Sequence, residues 1–322
     1  MRKIIINKNV ELINCLMLLI SFIAACALPF DVFLFSYAFL GPLHYLTELQ
    51  WLKNKNFFLE KSDVGVFIFF AVLIAALLFL PFLNIYLFRA DIFSGIILSI
   101  FFIFCSYLLF VLKNRTSKLL LGILILFVGL LYFFKPNLII LLGLFIPTLI
   151  HVYVFTTFFM ISGYFKAPDS FGLINIMLLL SVPFVIYFLP VENLVFSGIN
   201  AEKIFNSTGF KIINDQLVFF FGKNISKTNV VLKAQIFIAF AYTYHYLNWF
   251  AKTSVIGWAK SLELKKMIFV LGIWILSIAL YLYNYQTGLT VLFVLSMIHV
   301  LAEFPLNALS VKTIFQKIIS KK

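Results

Sequence analysis

The stretch FGLINIMLLLSVPFVIYFL, residues 171–189, runs for 19 residues without a charged side chain. A helix needs about 20 apolar residues to cross the hydrocarbon core of a bilayer. Similar stretches recur along the chain, which is 63% hydrophobic and 11% charged, whereas soluble domains carry about 25% charged residues. Lipid offers the backbone no hydrogen bonds, and the apolar runs do not alternate with polar residues, so helices are favoured over a barrel. The sequence predicts an all-α, polytopic transmembrane helical bundle.

Ten such stretches are predicted as spans, and they make residues 1–322 a single integral membrane domain. They run over 10–29, 32–52, 64–88, 92–112, 119–134, 137–165, 171–189, 230–250, 267–285 and 287–309. Only the short segment Pro29-Phe30-Asp31 marks the boundary between the first two spans, and the fifth is short, so nine spans is the alternative. The one sizeable polar connection, 190–229, is predicted to be an outer loop that forms a lid or a re-entrant segment.

Lys and Arg are distributed unevenly between the two sides of these spans. If the N-terminus is cytoplasmic, 18 of the 25 Lys and Arg residues lie on the cytoplasmic side. The positive-inside rule therefore predicts that both termini are cytoplasmic and that the protein is a multi-pass protein of the cell inner membrane. The formal net charge of +13 is attributed to basic loops that bind anionic lipid headgroups, and no nucleic-acid partner is predicted.

All four histidines of the chain lie inside predicted spans, at His44, His151, His245 and His299. A polar side chain in hydrocarbon is costly and normally faces the interior of the bundle. At 1.5 Å per residue, all four lie within roughly 5 Å of one level in the membrane, and the predicted topology makes their helices run in the same direction. One histidine alone is more often an interhelical hydrogen-bond partner than a ligand. Four at one depth predict a shared site for one transition-metal ion.

Only two acidic residues lie well inside predicted spans, and each follows a histidine by four residues. Glu48 follows His44 and Glu303 follows His299, positions that share one helix face. Such a carboxylate can accept a hydrogen bond from the second ring N–H of a metal-bound imidazole, so both are predicted to assist catalysis. The turns after the other two histidines hold Asn248, Lys252, Thr156 and Thr157.

The predicted metal is Fe(II). Imidazole suits zinc, copper, iron and nickel, and no thiolate lies near the layer, which disfavours an iron–sulfur cluster. The cysteines, Cys15, Cys26 and Cys105, are three in number without paired spacing, and buried cysteine usually acts as a small apolar residue. Fe(II) with neutral imidazoles, nearby carboxylates and an open position for O₂ fits this composition.

The helix number, the isolated histidines and the sequence Gly41-Pro42-Leu43-His44 resemble the Brp/Blh-type membrane β-carotene dioxygenases. Part of that family's His-Gly-x-x-Asp-His motif is present, with Glu48 at the acidic position and with Tyr45 and Leu49 in place of the glycine and the second histidine. The resemblance implies a non-haem iron oxygenase that cleaves a lipid-soluble apolar substrate, such as a carotenoid, taken from the bilayer. It makes His44, His151, His245 and His299 the implied iron ligands.

Three other functions remain open from the sequence. A transporter would use Glu48, Glu303 and Lys252 as coupling groups. A lipid-modifying transferase would use a histidine as general base and polar residues of the outer loop to hold a headgroup. A haem-binding electron carrier would use the histidines in axial pairs.

Overall fold

The computed structural model describes residues 2–54, 149–191, 194, 196, 198–208, 210–211, 214–215, 218, 227–252 and 264–319. Over these ranges the chain is helical with short connections and contains no β-strand, which confirms the all-α prediction. The predicted spans 64–88, 92–112 and 119–134 lie outside the described residues, as do the start of 137–165 and parts of the outer loop 190–229.

The described residues form α-helices of 7 to 35 residues. In chain order they are α1 (Arg2–Ala27), α2 (Pro29–Phe35), α3 (Gly41–Asn54), α4 (Thr156–Lys166), α5 (Ser170–Phe188), α6 (Ile199–Ser207), α7 (Lys227–Ala251), α8 (Leu264–Tyr283) and α9 (Tyr285–Ile319). Two π-helical segments precede α3 and α4, at Ser36–Leu40 and Ile150–Phe155. The predicted span 32–52 is therefore three helical pieces in succession, and α6 lies within the predicted outer loop.

Three helices of the described chain are long and apolar enough to cross a membrane, over Val10–Ala27, Ser170–Phe188 and Leu264–Tyr283. Their outward faces are apolar, with Phe184 69% and Phe269 67% exposed. Polar side chains lie on the inside instead, and Asn175 of α5 is fully buried. An apolar exterior around a polar interior is the arrangement expected of a helical bundle in lipid.

Pro42 explains the π-helical turn that precedes His44. Proline has no backbone N–H and cannot donate to the carbonyl four residues earlier. The helix widens at this point, and the N–H of Gly41 donates to Ser36 O, five residues earlier. Side chains from α8 and α9 donate to carbonyls of the same stretch, with Trp274 Nε1 2.8 Å from Phe39 O and Tyr285 Oη 3.1 Å from Leu34 O. Segments of this type are frequent at functional sites.

A second proline, within α5, leaves a backbone carbonyl that a side chain from another element satisfies. Pro183 lies inside this helix and cannot donate to the carbonyl of Leu179. The hydroxyl of Tyr153, in the second π-helical segment, donates to Leu179 O at 2.7 Å. This bond satisfies a buried carbonyl and joins α5 to the segment that carries His151.

The bundle is organised around α7. Helix α1 packs along α7 and α5, while α9 packs against α8, α3 and α4. Fully buried aromatic side chains fill the centre, among them Phe33, Phe240, Tyr244 and Tyr246. The helices α3, α7 and α9 and the segment before α4 thereby enclose one interior space, and each of them contributes one histidine.

Candidate metal centre

The four histidines lie together in the bundle interior. His44 is on α3, His151 in the π-helical segment before α4, His245 on α7 and His299 on α9, and their exposed fractions are 1, 3, 6 and 1%. Ring centroids are 4.7 Å apart for His44 and His245, and 4.9 Å for His44 and His299. The ring centroid of His151 lies 5.0 Å from that of His245 and 4.8 Å from that of His299, so the four rings form a closed set of neighbours.

The ring nitrogens converge as well as the rings. His44 Nε2 lies 3.1 Å from His299 Nε2 and 3.1 Å from His245 Nε2. Two imidazole nitrogens bound to one ion at 2.0–2.2 Å, with an angle between 90° and tetrahedral, lie about 2.8–3.6 Å apart. His44 Nε2 is therefore close enough to each of the other two nitrogens to share a metal ion with it, and all three lie within 4.8 Å of one another.

Hydrogen bonds behind the rings decide which nitrogens face inward without a proton. His299 Nδ1 lies 3.2 Å from Ser296 O, a carbonyl that can only accept, so Nδ1 carries the hydrogen. Thr156 Oγ1 donates its one hydrogen to Val152 O at 2.9 Å, so it must accept from His245 Nδ1 at 2.7 Å. In both neutral rings Nε2 is then left with a lone pair directed into the cluster.

The carboxylate of Glu48 faces the same point. Its Oε2 lies 3.1 Å from His44 Nε2 and 3.2 Å from His299 Nε2. The sequence places Glu48 beside His44 by their i+4 spacing, and the structure adds the contact with His299 on another helix. These contacts are to the inward nitrogens, so Glu48 is placed to bind a metal directly and not to support an imidazole from behind.

Glu303 makes its contact with a histidine of a different helix from its own. Its Oε2 lies 3.0 Å from His151 Nδ1, whereas the sequence analysis paired it with His299, one turn before it. The residues His151, His299 and Glu303 nonetheless offer ligand atoms within 4.8 Å of one another. Glu303 therefore belongs to the cluster and links the segment before α4 to α9.

The cluster has more acceptor lone pairs than hydrogens to share among them. A bound cation would satisfy the lone pairs that are left without a hydrogen. A single hydrogen on His44 Nε2 cannot serve His245 Nε2, His299 Nε2 and the Glu48 carboxylate together. His151 Nε2 is buried and has no hydrogen-bond partner among the described residues. Unpaired buried acceptors cost free energy, so these donor atoms fit a metal ion.

Aromatic side chains surround the histidines and exclude water. The Tyr45 ring stacks on His299 with centroids 4.5 Å apart, and its hydroxyl lies 2.8 Å from that of Tyr246. A Cβ at Gly41 would lie 3.1 Å from the first hydroxyl oxygen and 3.2 Å from the second. Glycine at this position therefore allows the close approach of the two tyrosines.

Lys252 lies in a separate polar cluster. Its Nζ is 3.9 Å from Glu11 Oε1 and 5.5 Å from the centre of the Phe159 ring. Asn175 donates to the same glutamate, 3.1 Å from Glu11 Oε2. The three coupling groups that a transporter would use are thus divided, with Glu48 and Glu303 among the histidines and Lys252 paired with Glu11.

Sequence reasoning singled out all four histidines and both acids but did not identify how the rings are oriented. The sequence places Thr156 only near His151 and gives no signal for Ser296. Thr156 follows His151 by five residues, and no sequence pattern indicates that it contacts His245 on another helix. Comparison of the chain with protein-family models, with curated proteins and with solved structures finds no match.

Proposed function

We propose that this protein is a membrane-embedded non-haem iron oxygenase that acts on a lipid-soluble apolar substrate, such as a carotenoid. The observation that carries the proposal is the convergence of buried imidazole nitrogens and the Glu48 carboxylate on one point. Mixed imidazole and carboxylate ligands with open positions are typical of Fe(II) oxygenases. The resemblance to the Brp/Blh-type dioxygenases, carried by residues 41–48, points to the same chemistry.

His44, His151, His245 and His299 would hold the iron, and iron so held would supply the activation of O₂. Thr156 and Ser296 fix the orientation of two rings, which raises metal affinity in known sites. Tyr45, Tyr246 and the other buried aromatic side chains keep the site dry. The lipid-facing surfaces of the bundle are apolar, so a hydrophobic substrate can reach the protein from within the bilayer.

The proposal includes a location in the cell inner membrane, with ten spans and with both termini on the cytoplasmic side. Its support is the division of Lys and Arg, with 18 of 25 on the cytoplasmic side. Basic loops on that side would contact anionic headgroups. Reporter fusions after Lys322 and within residues 207–215 are expected to report opposite sides. The same side for both would overturn the topology.

Metal content and conversion of substrate test the activity. Detergent-purified protein, reconstituted anaerobically with Fe(II), is analysed for elemental composition and visible absorption and is then given β-carotene and O₂. We expect bound iron, no haem spectrum, and cleavage products detected by chromatography. Substitution of any one histidine by alanine should lower bound iron more than the control Tyr242→Phe.

Two results would replace the proposal. A haem spectrum in the purified protein would identify the electron carrier. Protein without metal that catalyses solute flux in liposomes, with loss of flux in Glu48→Gln, would identify the transporter.

A further inference from the structure

The layer of histidines and acids contains more metal-binding side chains than one ion can use. His44, His245 and His299 form one set whose ligand atoms lie within 4.8 Å of one another, and His151, His299 and Glu303 form a second. Glu48 adds a sixth side chain through its contacts with His44 and His299. All six are at least nine-tenths buried.

The number of donors has a consequence for an oxygenase. Six side chains around one ion would complete an octahedron and leave no position for O₂ or for substrate, whereas a catalytic site keeps one open. Six side chains shared by two ions would give each ion three protein ligands, or four where a carboxylate bridges both ions. Each ion would then retain open positions.

The six side chains divide into two equal groups when each imidazole binds only one of the two ions. His44, His245 and Glu48 form one group of two histidines and one carboxylate, and His151, His299 and Glu303 form the other. Two histidines and one carboxylate are the ligand set that non-haem Fe(II) oxygenases use. Glu48 Oε2 lies 3.1 Å from His44 Nε2 and 3.2 Å from His299 Nε2, so it faces a member of each group.

The geometry points to a dinuclear centre, in which two divalent transition-metal ions are held by these two groups and bridged by the Glu48 carboxylate. The ligand is thus a pair of first-row divalent ions, and this inference rests on the proposed function. Ions in known two-metal sites are about 3.5–4 Å apart. The two groups approach within 3.1 Å at His44 Nε2 and His299 Nε2 and within 3.2 Å at Glu48 Oε2 and His299 Nε2, so two ions held by them would be neighbours. The two carboxylates also balance half of the charge of two divalent ions, which four neutral imidazoles could not do.

Metal stoichiometry on the full-length protein tests this inference without any assay of activity. Detergent-purified wild-type protein is titrated anaerobically with Mn²⁺, and bound metal per chain is measured by elemental analysis. We expect two ions per chain and the electron paramagnetic resonance spectrum of an exchange-coupled pair. This measurement needs no variant, so it does not depend on whether substituted proteins fold.

Variants then assign the two groups. His151→Ala and Glu303→Gln are expected to retain one ion and to show the spectrum of isolated Mn²⁺. The control is Ser310→Ala, since Ser310 is buried on the same helix as Glu303 and donates only to the carbonyl of Leu306, at 3.1 Å. It should keep two coupled ions.

The outcomes separate this inference from the proposed function. One ion per wild-type chain, lost equally on substitution of any of the four histidines, would overturn the dinuclear centre and leave a mononuclear oxygenase. Two ions without magnetic coupling would overturn the shared bridge. No bound ion would overturn the proposed function together with the inference.

Discussion

Replacement of Thr156 by valine is the sharpest test of how the histidines are oriented. Valine has the shape of threonine but no hydroxyl, so Thr156→Val removes the acceptor that lies 2.7 Å from His245 Nδ1, together with the bond that the hydroxyl donates to Val152 O. The ring of His245 is buried and finds no water to replace the lost acceptor. Its hydrogen can then move to Nε2, where it would occupy the lone pair that binds the metal.

Two estimates give the size of the effect. Leaving one buried donor without a partner costs about 1–3 kcal/mol. Loss of a hydrogen bond to a metal-bound imidazole lowers metal affinity about 10- to 100-fold, which corresponds to about 1.4–2.8 kcal/mol. The two ranges overlap, and we therefore expect a loss of affinity of that order.

Thr157→Val is the matched control. Thr157 is the next residue of the same helix and is equally buried, but its hydroxyl donates to the carbonyl of Tyr153 at 2.8 Å. Metal affinity is measured by competition with a chelator, and thermal unfolding in detergent reports whether both variants are folded. Equal affinities of the two folded variants would show that the contact between Thr156 and His245 does not position a ligand.

Three further predictions concern the carboxylate and the packing around the site. Glu48→Gln should remain folded and lose at least the roughly 10- to 100-fold in metal affinity that follows loss of a residue supporting a ligand, because this carboxylate faces the metal position itself; wild-type affinity in the chelator assay would make this acid structural. Gly41→Ala should lower the free energy of unfolding by about 1–3 kcal/mol, because its Cβ would lie 3.1 Å from the hydroxyl oxygen of Tyr45, and adding Tyr45→Phe should recover part of the loss. Tyr153→Phe should lower the free energy of unfolding in detergent by about 0.6–1.7 kcal/mol. The loss should be much smaller in a Pro183→Ala background, because the backbone N–H of Ala can then donate to the carbonyl of Leu179. Equal losses in the two backgrounds would show that Tyr153 does not compensate for Pro183.

The fold class was predictable because it depends on composition and on the length of apolar runs. Residues 171–189 can satisfy their backbone in lipid only as a helix, and the structure has α5 over Ser170–Phe188. Helix ends were less predictable. Pro42 signals an irregular helix, but the π-helical turn at Ser36–Leu40 also receives a hydrogen bond from Trp274, which donates to Phe39 O from a helix distant in sequence.

The two acidic residues show that spacing within one helix predicts some contacts but not others. The i+4 spacing of His44 and Glu48 is a property of one helix, and the two side chains are indeed in contact. The same spacing holds for His299 and Glu303, yet the Glu303 carboxylate lies 3.0 Å from Nδ1 of His151, in another segment. Neighbouring helices compete for each side chain, and their rotation decides which partner is reached.

By itself, the sequence determined that this chain is helical and predicted that its four histidines share one level, with an acid one turn beyond two of them, because both properties follow from the rise of a helix and from the thickness of a bilayer. Only the tertiary structure decided which nitrogens face inward, that Glu48 contacts two helices, and that Lys252 pairs with Glu11. Each of these depends on the rotation and crossing of helices about one another. Side-chain packing between helices sets those angles, and no spacing within a single helix encodes them.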